Sequence, residues 1–200
     1  MYTKISRKQI SHAQLNLYRS VICDFHWLTN TIEASDRVHM LDAIEWDASD
    51  ADLIIYSDVS LNGLGFYAPD CHLGFCASMP ADCLCPMIFY FEALAIALAI
   101  LWTSGLTPPI HHMLIYTDSL NSVEMFNTLN AQDGYKDILL FTVHILMTCN
   151  ISLCMFHIPG TDNVIADALS RHLPGSAVRL SLDLQIHHFQ PPRTMLGCAE

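Results

Sequence analysis

The chain has 200 residues, enough for one domain with a proper core plus extensions. Hydrophobic residues make up 52% and charged residues 14%, which excludes a disordered chain. With 9 basic and 20 acidic residues the net charge is −11, which argues against holding nucleic acid by a broad basic surface but leaves room for phosphate chemistry through bound cations.

The N-terminus, MYTKISRKQISHAQ, is polar and basic and lacks the apolar stretch of a secretory signal. Ser11 and Gln14 have capping-box spacing, and Leu15, Tyr18, Ile22, Phe25, Leu28 and Ile32 follow a three-four rhythm. This predicts one amphipathic helix whose apolar stripe must pack on something. Residues 35–52 are polar and acidic and read as a linker. The eight cysteines are scattered, and the closest pair, Cys83 and Cys85, has no CxxC spacing. They read as reduced thiols of an intracellular protein, cytoplasmic or nuclear, with no structural zinc site.

Three strand signals follow: Leu53–Asp58, Leu64–Ala68 after the turn dipeptide Asn62-Gly63, and Leu73–Ala77 after Pro69-Asp70. Asn-Gly favours the primed turns of hairpins, so the three predict an antiparallel meander. Ile88–Trp102 is long, rich in Ala and Leu and apolar on all sides, and predicts a core helix. The longest apolar run, Met87 to Trp102, is too short to span a membrane and contains Glu92. Met113–Asp118 predicts a fourth strand, 119–127 and 135–149 two helices, 151–158 a fifth strand, and 162–171 a last helix. Alternating Leu180, Leu182, Leu184 and Ile186 read as an edge strand leading into a linker. The expected fold class is α/β, a mixed sheet with helices packed on it.

Four carboxylates occupy informative places. Glu92 lies in the apolar helix with Phe89, Ala95, Ile88 and Ile96 at helical spacing, none able to neutralise it, so it must find water, a donor or a cation unless it sits on an exposed sliver of that helix. Asp58 and Asp118 end strands in similar contexts, IIYSDVS and LIYTDSL. If those strands are neighbours, both acids emerge at one sheet edge, where ligands of open α/β sheets sit. Taken singly, each reads as a capping residue, Asp118-Ser119 suiting an N-cap. Asp167 shares a helical face with Asn163 and Arg171, and its bland reading is an ion pair with Arg171 on a solvated face. Asp162, with Thr161, reads as the N-cap of that helix.

The blocks LIIYSDVSLNGLGFYAP, FYFEALAIALAI, LIYTDSLNSVEMF and HIPGTDNVIADALSR stand in the order and spacing of the ribonuclease H domains of retroelements, of the long-terminal-repeat and tyrosine-recombinase kinds, with a fungal flavour. The resemblance covers residues 52–172 or so. It implies a ribonuclease H-like fold: a five-stranded mixed sheet, three antiparallel strands then two parallel, with helices on both faces. It implies that residues 1–50 end a reverse-transcriptase region, that 51–172 form the domain, and that 173–200 are a tail. The resemblance carries Asp58, Glu92, Asp118 and Asp167 onto the family's metal-binding catalytic acids, holding two Mg2+ (or Mn2+) ions. The implied reaction is endonucleolytic cleavage of the RNA strand of an RNA–DNA hybrid, without a membrane. Neighbouring reverse-transcriptase and recombinase regions of a parent polyprotein are the other implied partners. Asn62 and Asn163 are candidate substrate-binding donors, although a turn residue is the plain reading of Asn62.

The chain departs from cellular enzymes of this fold, which carry a histidine on the loop before the last helix. Here that loop is Pro159-Gly160-Thr161, and His157 reads as a structural histidine satisfied by backbone. Two rival functions keep the fold: a catalytically silent structural remnant, or a DNA exonuclease or integrase-like transferase.

Overall fold

The computed structural model describes residues 17–34, 46, 48–79, 88–132 and 134–191. Helix α1 (Arg19–Ala34) precedes the sheet. Strands β1 (Leu53–Val59), β2 (Gly63–Ala68) and β3 (Leu73–Ser78) form the expected meander, with β2 antiparallel to both neighbours. Helix α2 (Ile88–Thr103) leads to β4 (His112–Thr117), then α3 (Leu120–Thr128), α4 (Lys136–Cys149) and β5 (Ser152–His157). β4 pairs parallel with β1, and β5 parallel with β4. The chain closes with α5 (Val164–Ser170), α6 (Pro174–Leu180) and β6 (Gln185–His188).

The sheet order is β5-β4-β1-β2-β3-β6. Three antiparallel strands followed by two parallel ones, with helices on both faces, is the expected architecture. The sheet has six strands, however, not five: β6 adds parallel to β3, pairing Leu73 with Gln185 through Cys76 with His188. The segment read as alternating from Leu180 is a helix until Leu180, because Pro174 opens a helical turn before the strand begins.

One core lies between the sheet and α2, α3 and α4, built on Leu53, Ile55, Leu94, Ile96, Met113 and Ile115, all nearly or fully inaccessible. Tight packing of α2 on all sides is what its uniformly apolar sequence requires. The opposite face carries α5 and α6 over a smaller cluster of Tyr67, Cys76, Ala168, Leu169, Ala177 and Leu184.

The structure corrects several local expectations. Neither Asn62 nor Gly63 takes a positive φ, so the first hairpin does not use a primed turn. Gly63 is instead a strand residue where a Cβ would meet the Ala77 carbonyl and, at 2.7 Å, His172 Nε2. Along α1 the predicted stripe is not sealed, since Ile22, Phe25 and Leu28 are 40%, 43% and 41% exposed. A surface ion pair, Asp24 with Lys136 at 3.0 Å, reaches from α1 to α4. Ser11, Gln14 and the Cys83–Cys85 pair lie outside the described residues; Cys23, Cys71, Cys76, Cys149 and Cys154 are free thiols. Among the described residues no helix is long and apolar enough to cross a membrane.

Candidate functional site

Strand register sets the first two acids side by side. β1 and β4 run parallel with Ser57 opposite Thr117, so Asp58 and Asp118 follow at adjacent positions on strands about 4.8 Å apart. Asp58 is still within β1 and only 5% exposed, whereas Asp118 follows β4 and is exposed. Gly160, in the loop after β5, passes close to Asp118: a Cβ there would lie 3.1 Å from Asp118 Oδ2.

Glu92 comes from the second turn of α2 and is half-buried. Burial, then Asp118 and Asp58, push its pKa up to about 8 from 4.5. Burial also raises Asp58, to about 6 from 3.8, against the hydrogen bond from Ser170; Asp118 and Asp167 push it further up, and Arg171 pulls it down. Asp58 thus feels each of Asp118, Glu92 and Asp167. Acids 34, 60 and 109 positions away in sequence share one neighbourhood around it.

Asp167 is brought there by α5, which lies unusually close to the sheet. At Gly65, opposite Asp58 in the β1–β2 pairing, a Cβ would stand 2.6 Å from Ser170 N, 2.8 Å from Ala166 O and 2.9 Å from Leu169 Cβ. Only glycine leaves the backbone that space. The close approach lets Ser170 Oγ donate to Asp58 Oδ2 at 2.6 Å. Ser60 Oγ donates in turn to the Ser170 carbonyl at 2.8 Å. Asp167 Oδ1 accepts from Arg171 Nε at 2.7 Å, so the bland ion-pair reading of that residue is also realised, on a surface where Asp167 is 39% and Arg171 54% exposed.

The other expectations fare differently. Asn62 is exposed in the β1–β2 turn, its N–H donating to Ser60 Oγ at 3.1 Å. Asn163 is 1% exposed, and its Nδ2 donates to the Ser57 carbonyl at 2.8 Å. One of its two amide N–H groups is thus used inside the protein, tying the start of α5 to β1, and its burial is that of a strut. Its Oδ1 is buried without a partner. Asn163, not Asp162, is the N-cap position of α5, and no side chain caps that helix; Thr161 Oγ1 merely lies 3.4 Å from Asp162 Oδ1. Ser119 holds the N-cap position of α3, also without a side-chain cap bond, so Asp118 is not spent on capping. His157 is exposed at the end of β5, and its ring makes no hydrogen bond among the described residues, contrary to the expected satisfied histidine. Ser170 was not legible as a site residue. Its partner is 112 positions away, and a small polar residue on a short helix carries no periodic signal.

Four carboxylates form a hard, acceptor-only donor set that suits Mg2+ or Mn2+. Burial first, and neighbouring acids second, raise two of them, and a bound cation would favour their ionised forms. Among the described residues, no group of three or more His, Cys, Asp or Glu side chains is drawn together tightly enough to hold one ion. The acids share a neighbourhood, in which Arg171 is the basic group that acts on Asp58 among the described residues.

No family model and no curated protein matches the chain. Solved structures with a similar course of chain include LC11 ribonuclease H1 in complex with an RNA/DNA hybrid, at 20% identity and TM-score 0.49, covering 63% of this chain and 99% of that one. Ribonuclease H1 of the halophilic archaeon Halobacterium salinarum matches at 13% identity and TM-score 0.44, covering 62% and 98%. The foamy viral protease-reverse transcriptase, in complex with an RNA/DNA hybrid, matches at 12% identity and TM-score 0.42, covering 83% of this chain and 22% of that one.

Proposed function

We propose that the chain is a divalent-metal-dependent nuclease of ribonuclease H type that cleaves the RNA strand of RNA–DNA hybrids and derives from a retroelement polyprotein. What supports this reading is the β1–β4 register that sets Asp58 beside Asp118, with Glu92 and Asp167 close enough to act on the same pair and, among the described residues, Arg171 the basic group that reaches Asp58. Structural ion pairs do not need such a surplus of like charge, whereas a cation-binding centre does.

In this reading Asp58, Glu92, Asp118 and Asp167 hold two Mg2+ or Mn2+ ions. Bound there, the ions supply an activated water and charge neutralisation at the leaving oxygen of an in-line displacement. The protein's own part is to keep the acids apart on rigid elements: two on adjacent parallel strands, one on a core helix, one on a helix pressed against the sheet. Burial of Asp58 and Glu92 excludes water from one side and strengthens their attraction for a cation. Hybrid is recognised by its shape and by 2′-OH groups in its shallow minor groove. In this reading Asn62, exposed in the β1–β2 turn, supplies such a contact. With few cations in the domain, affinity for the hybrid depends on the ions and on neighbouring reverse-transcriptase and recombinase regions of the parent polyprotein.

The test is cleavage of an end-labelled RNA–DNA hybrid with Mg2+ or Mn2+. Expected is cutting of the RNA strand, abolished by chelator and by Asp118→Asn. A well-folded chain that cuts nothing with either metal overturns the nuclease reading in favour of a silent remnant of the same fold.

A further inference from the structure

Ser170 is fully inaccessible, at the last position of α5. A helical serine ordinarily bonds back to a carbonyl three or four residues earlier. That alternative is present, since Ser170 Oγ lies 2.9 Å from the Asp167 carbonyl. But the hydroxyl has one proton, and it faces a second acceptor, Asp58 Oδ2, at 2.6 Å. A shorter contact to an ionised acceptor is the stronger bond, so the proton goes to Asp58.

The surroundings leave the serine no freedom to do otherwise. Its amide nitrogen is pressed toward Gly65, the β2 residue paired with Asp58, where a Cβ would stand at 2.6 Å. Its carbonyl accepts from Ser60 Oγ, just past the end of β1. The side chain of this one residue is thus tied to Asp58, its carbonyl to Ser60 just past the end of β1, and its amide nitrogen packs on Gly65 of the neighbouring strand. An ionised carboxylate has room for about four hydrogen-bond or cation contacts. Fixing one on Oδ2 stops the carboxylate from turning and leaves the others open.

We propose that Ser170 is a positioning residue that fixes the orientation of the Asp58 carboxylate for cation binding. The inference rests on the metal-centre reading and adds a residue to it. Ser170 touches neither substrate nor ion; it acts through Asp58.

The experiment uses the full chain with 13C-labelled aspartate and two variants. Ser170→Cys keeps a hydrogen-bearing group at the same position, slightly larger and a weaker donor, and Ser170→Ala removes the donor without adding bulk. In chelator, the Asp58 carboxyl resonance, assigned by its loss in Asp58→Asn, is expected to shift in both variants while the amide spectrum stays that of the folded chain. Mn2+ affinity, read by electron paramagnetic resonance without any substrate, is expected to weaken about 10- to 100-fold, the range for residues that orient a ligand. In hybrid cleavage kcat at limiting Mn2+ is expected to fall with KM for hybrid unchanged. An unmoved Asp58 resonance, or wild-type Mn2+ affinity in Ser170→Cys, overturns the proposal and leaves the metal centre standing. A wild-type chain that binds no Mn2+ overturns the metal centre and the proposal together.

Discussion

Gly65 stands opposite Asp58 across the β1–β2 pairing, and α5 rests on the space its missing side chain leaves. The atoms a Cβ would strike are Ser170 N, Ala166 O and Leu169 Cβ, mostly main chain and unable to swing aside. Gly65→Ala is therefore expected to lift α5 from the sheet, with an overpacking cost of about 1–3 kcal/mol. The same displacement lengthens the Ser170–Asp58 bond. Chemical denaturation should show the lost stability, and Mn2+ affinity should drop with it. A variant as stable as wild type would mean that α5 is not held where it is placed.

The acids make stability depend on pH in an unusual sense. Asp58 at about 6 and Glu92 at about 8 lie above the ordinary values of 3.8 and 4.5. Between the ordinary and the raised value the native chain keeps a proton the unfolded chain has lost. These two groups thus contribute most below pH 3.8, and their contribution falls as pH rises through 6 and on to 8. In chelator the melting temperature should decline over that span, and Glu92→Gln should flatten its upper part. Saturating Mn2+ favours the ionised forms and should reverse the trend. A melting temperature that climbs from pH 6 to 8 in chelator would contradict the burial of Glu92 among like charges.

Much of the fold was readable because its signals are local or periodic. The uniformly apolar 88–102 segment can only be a covered helix, and the matching contexts of Asp58 and Asp118 mark twin strand ends. The β1–β4 register then makes them neighbours, as expected. What escaped was set by tertiary contact. Asn62-Gly63 has the composition of a primed turn, but Gly63 serves close packing against β3 and His172, and that requirement is invisible in a dipeptide. The last strand lies at the sheet edge as expected, but it starts later than its alternating leucines suggest, because its four residues take their place from pairing with β3. Asn163 carried a polar side chain near the acids, and nothing in its neighbours told that it would be buried against Ser57.

Asn163 offers a clean separation of a strut from a substrate ligand. Its Nδ2 satisfies the Ser57 carbonyl one residue before Asp58. Asn163→Ala leaves that buried acceptor unpaired, an expected loss of about 1–3 kcal/mol. The loss should show in thermal unfolding without any hybrid present. If instead stability is unchanged and only KM for the hybrid rises, the side chain reaches substrate and the strut assignment is wrong.

Among the described residues Arg171 is the basic group that acts on the acidic cluster, pairing with Asp167 and pulling Asp58 down. Being on a solvated surface, that pair is screened and contributes little to folding. Its effect on a cation should be larger, because a fixed positive charge repels an incoming one and occupies Asp167 Oδ1. Arg171→Ala is expected to leave the melting temperature in chelator near wild type and to tighten Mn2+ binding severalfold. Raising the salt should shrink the difference, since exposed charges act through a screened medium. If the variant instead binds Mn2+ more weakly, Arg171 is needed to hold Asp167 in place, and the competition between guanidinium and metal does not exist.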